Sequence, residues 1–137
     1  MNRIAAIALF AGAILMIASS AAAQSNVVEA DVPFNFTVNN TLLPAGSYTF
    51  GFDLMHPGLL VIRDRTKNVK ATDFGQRGAI GRGRLDVLIF HRYGSQYFLS
   101  EVHLNSAANG IFLPATKYEK KVEKVGGEEN LASVAAH

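Results

Sequence analysis

The chain has 137 residues, 49% of them hydrophobic, a formal net charge of +2 and neither cysteine nor tryptophan. That is one domain's worth of chain with apolar side chains enough for a core. Without cysteine there is no disulfide framework, no lipid-accepting thiol and no thiolate nucleophile, and the small net charge selects no partner for the molecule as a whole.

Met1–Arg3 supplies one cation, Ile4–Ala18 is an unbroken small and apolar run, and Ser19-Ser20 leads into Ala21-Ala22-Ala23. A charged start, an apolar centre and small residues at the end form the layout of a secretory signal peptide, residues 1–23, cleaved before Gln24. The apolar run of about 15 residues falls short of the roughly 20 needed to span a bilayer. The expected location is therefore exported, periplasmic or extracellular, and the absence of cysteine fits a bacterial source. On that reading the glycosylation-like Asn35-Phe36-Thr37 and Asn39-Asn40-Thr41 are chance matches.

Val28, Ala30, Val32, Phe34, Phe36 and Val38 alternate with Glu29, Asp31, Pro33, Asn35 and Thr37. Period two over eleven residues predicts one strand with one buried face, at an edge or with a bulge because Pro33 has no N–H to give. Asn39-Asn40 and Pro44-Ala45-Gly46 are turn signals. A second half-buried strand follows over Tyr48–Leu54, then short strands over Leu59–Arg63 and Val69–Phe74. Gly75–Gly83 holds four glycines and reads as a loop. Leu85–His91 and Gln96–Leu104 form the clearest hairpin. A two-residue Gly94-Ser95 turn sets Tyr93 opposite Gln96 and, counted onward without interruption, Asp86 opposite His103. Ile111–Leu113 is one more short apolar piece. Tyr118, Val122 and Val125 have helical spacing, stopped by Gly126-Gly127. The expected architecture is all-β, a small antiparallel sandwich or barrel of six to seven strands with a short C-terminal helix, as one domain over 24–125, with 126–137 a disordered tail.

Three features could carry chemistry. Asp86, Glu101 and His103 are the candidate metal or acid–base set, against the plainer reading of a cross-strand ion pair. Arg77, Arg82 and Arg84, set among glycines, are candidate anion-binding residues; they belong to a segment, Arg63–Arg84, with seven cations and two anions. The plainer reading is a solvated connection. No Gly-x-Ser-x-Gly elbow is present, and Ser95 and Ser100, the serines nearest to His91 and His103, read as ordinary hairpin residues. The four tyrosines read as packing residues.

Val32–Val38 (VPFNFTV), Leu43–Tyr48 (LPAGSY), Phe90–Gly94 (FHRYG) and Tyr97–Glu101 (YFLSE) resemble a family of short exported bacterial β-proteins. The resemblance spans most of the exported domain and rests on strands and turns. It implies no activity and no catalytic residue. The resulting expectation is a non-enzymatic envelope binding or structural module without a cofactor. Its partner would be an anionic envelope polymer or another envelope protein, the latter added at the Val28–Val38 edge; nucleic acid is not expected. The alternatives are a small-ligand carrier with Phe34, Phe36, Phe50, Phe52, Phe90 and Phe98 lining its interior, or a metal-dependent enzyme.

Overall fold

The computed structural model of the chain describes residues 27–53, 55–79, 86–104, 109–126 and 129–137. The signal-peptide reading of residues 1–23, together with Arg82 and Arg84, lies outside the described residues. Eleven strands appear among the described residues, more than the six or seven expected, because one predicted strand is split in two and segments read as a turn, a loop and a tail also form strands. Sheet A has the order β1 (Val27–Val32), β4 (Gly46–Phe52), β5 (Leu59–Arg63), β6 (Val69–Phe74). Sheet B runs β11 (Asn130–Ala135), β8 (Val87–Tyr93), β9 (Gln96–Leu104), β10 (Asn109–Phe112), β7 (Gln76–Ala79). Strand β2 (Phe36–Val38) joins sheet B by a parallel pairing to β9 at Thr37↔Phe98, and β3 (Thr41–Leu43) pairs with β2.

The first predicted strand is therefore two. Pro33 ends β1 in sheet A, and after Asn35 the chain re-enters as β2 in sheet B. Alternation survives the crossing because both sheets turn their inner faces to one core: Val28, Ala30, Val32, Phe36 and Val38 are all buried. Phe36 lies 5.4 Å from Tyr48 and 6.4 Å from Phe50 of sheet A, and 5.5 Å from Phe90 of sheet B, ring centroid to centroid. Asn39 and Asn40 take positive φ, 46° and 66°, in the turn between β2 and β3.

Two further expectations are corrected. The glycine-rich stretch opens as strand β7, antiparallel to β10. Its glycines serve close approach: a Cβ on Gly75 would come within 2.7 Å of the Phe112 carbonyl oxygen, and one on Gly78 within 2.6 Å of the Phe112 ring. The C-terminal segment, read as a disordered tail, carries β11, paired with β8 from Asn130↔Arg92 to Ala135↔Val87. Ala132, Val134 and Ala136 lean on the core, an alternation too weak in apolar bulk to stand out in the sequence. Beyond β11, His137 exchanges two backbone hydrogen bonds with Glu29 (2.7 and 2.9 Å). This links the edges of the two sheets, so the β1 edge is not bare at Glu29.

Phe36→Ala would empty the space between the sheets. Loss of a fully buried phenylalanine should cost about 3–5 kcal/mol, read as a lower urea midpoint with an unchanged slope.

Candidate functional site

The outer face of the β8–β9 hairpin gathers most of the titratable groups with chemical potential. Tyr93 faces Gln96 across the Gly94-Ser95 turn, Gly94 at φ 63°, as expected. The pairing then slips by one residue: Phe90 faces Leu99, but Ile89 faces Glu101. Ser100 is the extra residue of a β-bulge. The slip keeps Leu88, Phe90, Leu99, Val102 and Leu104 together in the core. It also moves His103 opposite Val87, so the expected Asp86–His103 pairing is corrected.

Ser100 sits beside His91. Its Oγ lies 3.0 Å from His91 Nε2, and Glu129 Oε1 lies 3.3 Å from the same nitrogen. Glu119 Oε1 approaches the other nitrogen, Nδ1, to 3.8 Å, and that nitrogen is buried without a hydrogen bond. Glu119 comes from α1 (Lys117–Gly126), which starts close to the predicted place. Its buried side chain is not one of the expected stripe: Tyr118 and Val125 are exposed, Val122 is half-buried, and Glu119 is only 4% exposed. Thr116 caps the helix, its Oγ1 accepting the Glu119 N–H at 3.1 Å. Thr116-Lys117-Tyr118-Glu119 has the spacing of a capping box. That was the available signal for Glu119, whose carboxylate instead turns toward His91. Phe98, Tyr93 and Tyr118 pack beneath the helix, with ring separations of 5.8 and 5.9 Å. Phe98 thus belongs to this outer face and not to a barrel interior.

Burial raises the Glu119 carboxyl above its ordinary range, opposed by His91 and reinforced by Glu129 and Glu123. Burial, helped by Glu119, Glu129 and Glu123, pushes the Tyr93 phenol up to about 12. Serine, imidazole and carboxylate lie in the order of a hydrolytic relay. Yet Ser100 is 7% exposed, and Glu129 shares Nε2 with it. The arrangement holds α1 and the approach to β11 against the sheet and leaves no open face for an acyl substrate at Ser100.

Of the first candidate set, Glu101 and His103 are brought together, Glu101 Oε2 2.7 Å from His103 Nε2 with His103 5% exposed. Asp86 stands just before β8 and accepts the Ala136 N–H on its carbonyl. Among the described residues no group of three histidine or carboxylate side chains is placed to hold a metal ion. Arg77 is exposed on β7, an edge strand of sheet B.

Other cations of the basic segment cluster elsewhere. The loop between β5 and β6 is knotted by Asp64, whose Oδ1 accepts the N–H groups of Thr66 (2.9 Å) and Asn68 (3.1 Å) and the Thr66 hydroxyl (2.6 Å). These bonds hold the Asp64 carboxyl below its usual range. They project Arg65 and Lys67, the latter at φ 66°, into solvent. Beside the loop, a surface cleft of about 530 Å³ is lined by Asp64, Arg65 and Lys70 and by the apolar Leu42, Leu43 and Pro44. Arg65 donates to Ser47 Oγ at 3.2 Å, and Lys70 lies 3.5 Å from Asp64.

A tyrosine whose folded-state pKa is raised contributes stability that is complete below the ordinary value and is lost as pH climbs through the folded one. Tyr93 should therefore weaken the fold between pH 10.0 and about 12. Tyr93→Phe should flatten that alkaline loss, read from urea midpoints at about pH 9 and 11; Tyr48, also raised by burial, supplies the remainder.

No helix among the described residues is long and apolar enough to cross a membrane. Comparison with protein-family models, with curated proteins and with solved structures finds no match to this chain.

Proposed function

We propose that this chain is an exported, non-enzymatic β module that binds an anionic polymer of the cell envelope. The observation that carries the reading is the exposure of every described cation in the basic segment: Arg63, Arg65, Lys67, Lys70 and Arg77. Arg65 and Lys70 line a cleft together with Leu42, Leu43 and Pro44, and with the single carboxylate of Asp64. A sugar ring could rest on Leu42 and Pro44 while its carboxylate meets the two cations. Arginine has five N–H donors and the ammonium of lysine three, so the contacts to Ser47 and Asp64 leave donors free. Exposed pairs of this kind contribute little to the fold and are readily exchanged for a ligand.

The alternative of an apolar carrier is weakened by the core itself. Phe34, Phe36, Phe50 and Phe90 pack on one another or on tyrosine rings at 3.7–6.4 Å. They fill the space in which a ligand would sit.

Titration calorimetry against polygalacturonate checks the binding. Affinity should fall steadily as salt is raised. The double variant Arg65→Glu with Lys70→Glu should weaken it by roughly tenfold or more. Salt-independent binding, or none, would sink the polymer reading. Export has its own check: in a bacterial host the protein should leave the cytosol with Gln24 as its first residue. A product that stays in the membrane with its leader intact would overturn it.

A further inference from the structure

We propose that His91 is a pH-dependent clasp: its charged ring holds α1, through Glu119, and Glu129, just ahead of β11, on the outer face of sheet B, and loss of that charge loosens them. The inference does not rest on the polymer reading. His91 on β8 is approached by two carboxylates, Glu119 from the first turn of α1 at 3.8 Å on one ring nitrogen and Glu129, just before β11, at 3.3 Å on the other. An imidazolium presents N–H on both nitrogens and a positive charge between two negative ones. A neutral ring has a single N–H and no charge. One carboxylate then faces a lone pair, and the buried Glu119 loses its counter-charge, a costly arrangement in so dry a place. The electrostatic tie from the sheet to α1 and to Glu129 is then gone.

The other groups facing this cluster push the same way or are neutral. Glu123 on α1 adds negative charge, and Tyr93 on β8 is held as the neutral phenol. Ser100 on β9 offers a hydroxyl to Nε2 in either state. Glu101 and His103, farther along β9, are paired with each other. Asp73 of β6 shares a small recess with Glu119, and burial raises its carboxyl. The Glu119 carboxyl, raised by burial, also disfavours the docked helix as pH rises. Histidine is the side chain whose charge ordinarily changes between pH 5 and 8, a range an exported protein meets. Loosening α1 would uncover the aromatic patch of Tyr93 and Phe98.

The test is amide hydrogen exchange of the full chain between about pH 5 and 8, with the ring of His91 followed by NMR in the same series. Protection of α1, taken as a ratio to that of β4 and β5, should be lost over the range in which the His91 ring gives up its proton. Glu119→Gln keeps His91 and Glu129, so a smaller fall over that range should persist. His91→Gln combined with Glu119→Gln should give a flat ratio. A flat ratio in the unaltered protein overturns the clasp. So does a flat ratio in Glu119→Gln, which would assign the effect to that carboxyl alone, or a fall that persists in the double variant. Should the double variant not fold, the Glu119→Gln result and the match of midpoints decide.

Discussion

The two sheets are held together through the ring of Phe36. It reaches Tyr48 and Phe50 on one sheet and Phe90 on the other, and it can do so only because the chain leaves sheet A at Pro33 and enters sheet B three residues later. With no cysteine in the chain, no disulfide shares the task. The crossing also explains how the remaining strands close. Once β1 and β2 lie in different sheets, the seam beside β1 is open. The Glu29–His137 backbone pair closes it from the other end of the described chain.

The outer face of sheet B is a second, smaller packing problem with a different solution. Sheet A and sheet B cover one another with hydrocarbon. Helix α1 covers the hairpin partly with rings and partly with a buried carboxylate set against a histidine. Such a contact is less stabilising than an apolar one of the same size, and its strength depends on charge state. The molecule thus has one joint that is insensitive to its surroundings and one that is responsive.

Much of the architecture was legible from the residues. Period-two alternation located β4, a short continuous apolar run β5, a weaker run β6 and the facing apolar runs the hairpin, and Asn39-Asn40 and Gly94-Ser95 marked turns that the structure contains. What escaped was whatever depended on contacts distant in sequence. Pro33 signalled an interruption, but nothing local says that the strand resumes in another sheet. β11 is poor in apolar bulk, and it is a strand because β8 offers an edge. The apolar spacing of Tyr118, Val122 and Val125 found the helix but named the wrong inward side chain, since Glu119 goes inward to meet a histidine 28 positions earlier. The candidate metal set assumed an uninterrupted register, and one bulge removed Asp86 from it. Arg65 and Lys70 were counted within the basic segment, yet only the knotted Asp64 loop sets them beside a cleft.

That bulge has a further meaning. Without Ser100 the strand would alternate cleanly, Leu99 inward, Glu101 outward, Val102 inward, and every pairing from Ile89↔Glu101 onward would be unchanged. The pairing with β8 therefore has no use for Ser100 as a spacer. Toward β8 it is a surplus residue that the ladder steps around, while toward the other neighbour its carbonyl accepts the Leu113 N–H at 2.8 Å and its hydroxyl meets the ring of His91. The surplus position thus serves two neighbours at once: its backbone carries the tie to the chain beyond Phe112, and its side chain sets a polar group on the outer face beside His91.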